Sequence, residues 1–191
     1  MATTNSAAIL RPRVTWYEYQ QLPDDGMRYE VLEGELVVTP APEYQHQLVS
    51  KNIEYAMETW RRARGGGGQV LHAPFDVILA LDTIVQPDIV YMSAVTLKQV
   101  ARGRLQGPPD VVVEIFNERG AARDRVTKLQ VYAKFQVKEY WLVDLESRSL
   151  TVLGLVEGGY QTLASGAGDA TVASSVMEGF AVSPREAFDG C

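Results

Sequence analysis

Apolar and polar residues in the first third of the chain follow a strand pattern and then a helix pattern. Over residues 29–39 they alternate on either side of Glu33 and Gly34, which predicts a β-hairpin. Over residues 44–62 the apolar residues recur at helical spacing, which predicts a helix that ends at the glycine run 65–68. This part of the chain is therefore expected to form a hairpin followed by a long helix.

The middle of the chain contains short stretches that are rich in Val and Ile. These stretches predict strands at residues 75–81, 84–91 and 111–116. Apolar spacing over 122–133 predicts a second helix, which is followed by a strand at 139–144 and a further hairpin at 148–164. The order helix, three strands, helix, strand, with added hairpins, indicates an α/β fold built on a mixed sheet flanked by helices.

Chain length and composition indicate the domain organisation. A chain of 191 residues with 46% hydrophobic residues fits one domain, residues 1–191, with a core of ordinary size. We expect a loose N-terminal arm at 1–13, an ordered core at 14–164 and a C-terminal extension at 165–191. The sequence has no run of about 18 apolar residues and no signal-peptide pattern, so we expect a cytoplasmic protein without a membrane partner.

Few residues could bind a metal ion through nitrogen or sulfur. Cys191 is the only cysteine, which excludes an internal disulfide and a thiolate zinc site. His46 and His72 are the only histidines. A bound metal would therefore be held mainly by carboxylates, which favour hard cations such as Mg²⁺ or Mn²⁺.

Charge is distributed unevenly along the chain. The whole chain carries −6, whereas residues 98–138 contain nine Lys or Arg and four Asp or Glu, which gives +5 and leaves −11 for the remainder. The acidic balance argues against nucleic-acid binding over the whole surface, and the basic segment favours an anionic partner at one place. An Arg-rich helix surface would produce the same pattern.

Two carboxylates lie inside otherwise apolar strand segments. Glu114 lies within the apolar run 111–116, and Asp88 follows Pro87, whose missing backbone donor predicts a bulge or a strand end. A buried, unpaired carboxylate is costly, so each needs a cation, a proton or a place at the rim. The two acids could share one divalent cation, or each could form an ion pair with Lys or Arg at a sheet edge.

Lys128 lies on the predicted second helix, beside its apolar stripe. It shares one helical face with Tyr132, four residues later, and its side chain can reach over the sheet. There its ammonium would neutralise charge on a phosphate or position a water. Arg119, Arg123 and Arg125 would hold flanking phosphates, although a solvated helix face would have the same composition.

The segments that contain these residues resemble the PD-(D/E)XK nuclease superfamily and, within it, the Uma-type restriction-endonuclease-like family. The resemblance covers about residues 29–144, through YEVLEGEL, PEYQHQ, VQPDIV, GPPDVVVEIF, RDRVTKLQVYA and EYWLVD. It implies a restriction-endonuclease-like core with a magnesium-dependent phosphodiesterase site. Asp88 and Glu114 match the two acids of the motif, and Lys128 matches its lysine. The backbone carbonyl of Ile115 would complete the metal ligands.

The chain departs from the superfamily pattern after the second acid. The standard motif has lysine where this chain has Phe116, and the Uma-type pattern supplies it from the helix. Family members commonly have Ser-Pro where this chain has Asn117 and Glu118. The resemblance also extends to Glu30 and His46, which implies supporting roles such as positioning water. Alternatively, Glu30 pairs with an Arg and His46 decorates the first turn of its helix.

Two functional hypotheses follow from these residues. The first is an endonuclease that hydrolyses phosphodiester bonds in DNA with Mg²⁺ or Mn²⁺, as a homodimer because many duplex-cutting nucleases need two sites. The second is a nuclease-fold protein without useful turnover that acts as a nucleic-acid-binding or protein-partner module. The acidic balance and Phe116 favour the second hypothesis.

Overall fold

The computed structural model describes residues 13–117 and 121–191, with the backbone alone over 121–125. Its helices are α1 (Trp16–Tyr19), α2 (Tyr44–Ala63), α3 (Ala121–Lys134) and α4 (Pro184–Ala187), with a 3-10 helix at Thr96–Gln99. Its strands are β1 (Arg28–Leu32), β2 (Glu35–Thr39), β3 (Gln69–His72), β4 (Val77–Ala80), β5 (Thr83–Val85), β6 (Ile89–Met92), β7 (Val100–Ala101), β8 (Arg104–Gln106), β9 (Val111–Phe116), β10 (Glu139–Asp144), β11 (Ser149–Val156), β12 (Gly159–Ala167), β13 (Val172–Ala173) and β14 (Ala181–Val182). Within the described residues, no helix is long and apolar enough to cross a membrane.

The described strands form two six-stranded sheets and one two-stranded ribbon. The first sheet has the order β2-β1-β5-β4-β8-β7, the second has the order β12-β11-β10-β9-β6-β3, and β13 pairs with β14. In the second sheet β9 and β10 are parallel and α3 lies between them in the chain, because parallel neighbours need a crossover connection. The chain therefore has a mixed α/β fold, as its hydrophobic pattern predicts.

Strand β9 is buried on both faces at the centre of the molecule. On one face Ile53 of α2 belongs to a core that includes Val113. On the other face Tyr132 of α3 belongs to a core that includes Val112 and residues of the first sheet. Successive strand residues point to opposite faces, so Glu114 lies on the side of α3.

The hairpin of β1 and β2 turns at Glu33 and Gly34. Both residues have positive φ, 50° and 89°, which is the geometry of a type I′ turn. This turn matches the twist of the flanking strands and fixes the register, with Val31 opposite Leu36. The predicted hairpin is therefore confirmed, and it presents one face of β1 to the interior.

The structure differs from the sequence prediction around Pro87. The sequence predicts one strand over 84–91, whereas the structure has β5 and β6, which belong to different sheets. Pro87 cannot donate a backbone hydrogen bond, so the ladder is interrupted where the chain passes from one sheet to the other. The predicted strand 75–81 lies beside β5 as β4, so two sheets replace the expected single mixed sheet.

The two ends of the chain differ in what the structure describes. Residues 165–191 contribute Val172, Phe180 and Val182 to the core on the side of α2. Of the predicted arm, residues 1–12 lie outside the described residues, whereas Arg13 forms an ion pair with Asp82. The C-terminal segment is thus part of the packed structure although its sequence has little pattern.

Candidate active site

Asp88 lies where the chain leaves β5 and enters β6. Strand β6 pairs with β9 from Ile89, opposite Val113. The N–H of Ile115, two residues further along β9, therefore has no backbone partner in β6. This N–H instead donates to Oδ2 of Asp88, at 2.8 Å. The carboxylate thus continues the hydrogen-bond ladder in place of the backbone that Pro87 interrupts.

Two further side chains contact the Asp88 carboxylate, which is 4% exposed. Arg28 donates from Nη1 to Oδ1 at 2.8 Å, and Nε2 of His46 lies 3.1 Å from Oδ2. Burial raises the pKa of Asp88, but His46, the charge of Arg28 and the Ile115 N–H outweigh burial and lower the pKa to about 2. Asp88 is therefore ionised near neutral pH.

Glu114 extends from β9 towards α3 and is also buried. Its Oε1 accepts hydrogen bonds from Nζ of Lys128 at 2.9 Å and from the hydroxyl of Tyr132 at 2.6 Å. Burial raises the pKa of Glu114, and the negative charges of Asp88 and Glu30 add to this effect. Lys128 opposes them in part, and the resulting pKa is about 7. Glu114 is thus an acid whose charge changes near neutral pH.

Lys128 connects Glu114 to Glu30. Its Nζ lies 2.9 Å from Oε2 of Glu30, while Oε1 of Glu30 also accepts the backbone N–H of Gln86 at 2.8 Å, just after β5 ends. Burial alone would lower the pKa of Lys128, but the charges of Glu114 and Glu30 outweigh burial and raise it. Lys128 therefore remains an ammonium ion and does not accept a proton near neutral pH.

These groups line one pocket of about 290 Å³. Its lining includes Arg28, Glu30, His46, Asp88, Glu114, Ile115 and Lys128. A second pocket, of about 550 Å³, shares Arg28, His46 and Asp88 with the first. In the first pocket the four carboxyl groups of Glu30, Glu43, Asp88 and Glu114 outnumber the two permanent cations, Arg28 and Lys128, which favours the entry of a further cation.

The oxygen atoms of this pocket suit a hard cation, although they do not enclose one. Among the residues that the structure describes, no three His, Cys, Asp or Glu side chains form a group that could hold a metal ion. Asp88 and Glu114 supply two carboxylates, and the Ile115 carbonyl lies on the same strand edge as its N–H, which faces Asp88. A partial set of oxygen ligands fits Mg²⁺ or Mn²⁺ because such ions retain several waters.

The structure brings most of the predicted site residues to one place. The side chains that it brings together are Glu30, His46, Asp88, Glu114 and Lys128. His46 does more than decorate the first turn of its helix, because it contacts Asp88. Lys128 also reaches Glu114 from the helix, although Phe116 replaces the lysine of the standard motif.

The predicted phosphate-binding arginines cannot be placed in the same way. Arg119 lies outside the described residues, and the side chains of Arg123 and Arg125 are not described. Their contact with nucleic acid therefore stays a prediction.

Sequence reasoning did not identify Arg28 as part of the pocket wall or Tyr132 as a partner of Glu114. Arg28 lies two residues before Glu30 on β1, and the strand period of two places both on one face, which was the available signal. Tyr132 was placed on the helical face of Lys128 without a role in the site, and it is fully buried. Its hydroxyl also binds Glu114, which the shared helical face with Lys128 would have indicated.

Comparisons with known proteins agree with this architecture. The family model described as "Putative restriction endonuclease", Uma2, matches residues 16–185. No curated protein matches the chain. The crystal structure of a putative nuclease belonging to DUF820 from Anabaena variabilis ATCC 29413 has a TM-score of 0.76 and 17% identity, covering 92% of this chain and 97% of that chain. That likeness shows the fold, whereas the family match spans most of the sequence. The chain therefore belongs to the Uma2 family of putative restriction endonucleases.

Proposed function

We propose that the protein is a divalent-metal-dependent endonuclease that hydrolyses phosphodiester bonds in DNA. The observation that carries this proposal is the ammonium of Lys128, 2.9 Å from Glu114 in a pocket that Asp88 also lines. Paired carboxylates and a lysine are groups that phosphodiester hydrolysis uses to bind a cation and to stabilise charge. Membership of the Uma2 family supports the nuclease activity.

Asp88, Glu114 and the carbonyl of Ile115 would hold Mg²⁺ or Mn²⁺. When bound, such a cation polarises the phosphate and lowers the pKa of a coordinated water. Asp88 is ready for this role because it is ionised near neutral pH. Glu114, with a pKa of about 7, must lose its proton to bind a cation, so binding is expected to strengthen as the pH rises.

Lys128 would contribute a fixed positive charge and directed N–H donors. An ammonium has three donors, and Glu30 and Glu114 accept from two of them, which leaves one for a phosphate oxygen or a water. Because its pKa is raised, Lys128 stabilises negative charge and does not act as a base. Glu30, which is fixed by the N–H of Gln86, would hold the ammonium in position.

Plasmid nicking by the purified protein tests the proposal. In Mg²⁺ or Mn²⁺ the wild type is expected to nick the plasmid, and Asp88→Asn and Lys128→Ala are expected to lose about 100-fold or more in rate. Lys134→Ala is the matched control, because Lys134 lies on the same helix but is exposed and pairs with Glu33. Equal rates for the wild type, Asp88→Asn and Lys128→Ala would contradict the proposal.

A binding module without turnover is the second candidate. The contacts of Asp88 favour it, because both oxygens of the carboxylate already have protein partners in place of a metal ion. Arg28 binds one oxygen, and His46 and the Ile115 N–H contact the other. Calorimetry with Mn²⁺ distinguishes the two functions, because a module need not bind the cation. If Glu114→Gln abolishes the heat of Mn²⁺ binding and nucleic acid still binds unchanged, the partner surface is separate from the pocket.

We further propose that the protein acts in the cytoplasm as a homodimer. Many nucleases that cut both strands of a duplex use two active sites, which a pair of identical chains supplies. Sedimentation equilibrium with and without a DNA duplex measures the assembly directly. A monomer under both conditions would contradict this part of the proposal.

A further inference from the structure

Arg28 holds a position between the two pockets and binds the first acid of the proposed metal site. Its Nη1 donates to Oδ1 of Asp88 at 2.8 Å, and its Nη2 donates to the backbone carbonyl of Gln86. The side chain is 18% exposed and lines both pockets. Arg28 is therefore a partly buried cation at the wall that the pockets share.

The contacts of Asp88 determine which of its oxygens a metal ion could take. Oδ2 is engaged by His46 and by the N–H of Ile115, which belongs to the fixed ladder of β9. Oδ1 is engaged by Arg28, whose long side chain can change rotamer. A cation that approaches Asp88 therefore competes with the guanidinium for Oδ1.

The guanidinium also has an unused donor in this arrangement. Nε of Arg28 is buried and has no hydrogen-bond partner among the described residues. A buried donor without a partner is unfavourable, and an arginine with five N–H donors can satisfy more of them by turning towards an anion. Arginine also binds phosphate through two parallel hydrogen bonds, which one carboxylate oxygen and one carbonyl do not allow.

We propose that Arg28 is a built-in counter-ion of the metal site, which occupies Oδ1 of Asp88 without the cation and binds a substrate phosphate oxygen when the cation takes its place. The proposal rests on the proposed nuclease function. It assigns Arg28 two opposite effects, because the side chain competes with the metal ion and assists the binding of the phosphate. A residue that only maintained the fold would not show this pair of effects.

Substitution of Arg28 should separate these effects. Arg28→Gln removes one positive charge from the pocket but leaves Asp88 with the contacts from His46 and Ile115. The site then attracts a divalent cation more strongly, and we expect the Kd for Mn²⁺ to fall about tenfold by Coulomb's law at a partly buried site. Arg28→Lys keeps the charge, so its Mn²⁺ affinity should stay close to that of the wild type.

The experiment is calorimetric titration of the wild type and the variants with Mn²⁺, followed by titration of the Mn²⁺-loaded proteins with a short oligonucleotide that has non-hydrolysable linkages. Arg28→Gln is expected to bind Mn²⁺ more tightly and the oligonucleotide about tenfold more weakly. Arg104→Gln is the matched control, because Arg104 lines the second pocket and pairs with Asp76. It should leave Mn²⁺ binding unchanged. Urea unfolding of each variant shows that it is folded.

Each outcome decides between the proposals. Absence of Mn²⁺ binding in the wild type would overturn both the metal-dependent function and the role of Arg28. Mn²⁺ binding that is unchanged or weaker in folded Arg28→Gln would overturn the role of Arg28 alone, and plasmid nicking would still test the function. Tighter Mn²⁺ binding with unchanged oligonucleotide binding would also overturn the proposal, because its phosphate contact would be missing.

Discussion

Glu114 and Glu139 are buried carboxylates on the adjacent parallel strands β9 and β10, with 8% and 0% exposure. Glu139 is surrounded by neutral donors, namely the indole N–H of Trp141 at 2.7 Å, the hydroxyls of Ser174 and Ser175 at 2.6 and 2.7 Å, and the Ser175 N–H at 2.6 Å. Glu114 instead accepts hydrogen bonds from an ammonium and one hydroxyl, and it lines a pocket with three other carboxyl groups.

The difference shows that burial of a carboxylate does not by itself indicate chemistry. Glu139 is the more buried of the two acids, yet neutral donors satisfy both of its oxygens and attach the C-terminal segment to β10. Glu114 has fewer donors and lies among like charges. Burial and repulsion by these charges raise its pKa. The partners of a buried acid, and whether it faces a pocket, distinguish a structural role from a candidate catalytic role.

Substitution of the structural acid should have the larger effect on stability. In Glu139→Ala the indole of Trp141 and the donors of Ser174 and Ser175 lose their acceptor, so we expect the free energy of unfolding to fall by about 3–5 kcal/mol. Urea unfolding measures this change, with the exposed Glu157→Ala as control. A loss below about 1 kcal/mol would show that the segment is held by apolar packing instead.

Substitution of the candidate catalytic acid should change how stability depends on pH. The pKa of Glu114 rises from 4.5 to about 7 on folding, so between these values the folded protein binds a proton that the unfolded chain releases. Stability therefore falls as the pH rises through this window, and Glu114→Gln should lack that fall, a difference of about 1–3 kcal/mol. Urea unfolding from about pH 5 to about pH 8 measures it, and parallel profiles would contradict the assignment.

Asp88 titrates in a separate window and with the opposite sign. Its pKa is lowered from 3.8 to about 2, so its contribution to stability is present above 3.8 and is lost as the pH falls towards 2. The slope above about pH 5 therefore reports on Glu114 and not on Asp88.

The smallest effect is expected from removal of the Tyr132 hydroxyl, which donates a hydrogen bond to Glu114. Tyr132→Phe removes a hydrogen bond that lowers the pKa of Glu114, so the pH profile of plasmid nicking should shift to higher pH and stability should fall by about 1 kcal/mol. Tyr160→Phe is the control, because that hydroxyl donates to the carbonyl of Val137 at 2.7 Å. An equal shift of the nicking profile in both variants would exclude a specific effect of Tyr132.

Elements with a strong local pattern could be predicted from the sequence, whereas their pairing could not. The alternation around Glu33 and Gly34 and the helical spacing of α2 specify these elements locally. The apolar run 84–91 contains no comparable sign that its halves join different sheets, because that depends on pairing with distant strands, such as Val31 with Ile84. Pro87 indicated a strand end but not the change of sheet.

In the candidate site, too, the residues with a local sequence pattern could be predicted, whereas those that depend on distant partners could not. Asp88 and Glu114 were noticeable as acids among apolar neighbours, and Lys128 as a cation beside an apolar helical stripe. The only local signal for Arg28 was the strand face that it shares with Glu30, because its partner Asp88 lies 60 residues away in the sequence. Glu139 was missed because its donors come from a segment with little pattern.

The attachment of the C-terminal segment to β10 has a consequence for synthesis of the protein. Val172, Phe180 and Val182 share one core with Val113 of β9, so that core has an open side until these residues have left the ribosome. Strand β9 also carries Glu114. A nascent chain can therefore complete the packing behind its candidate active site only after residues 172–182 have emerged.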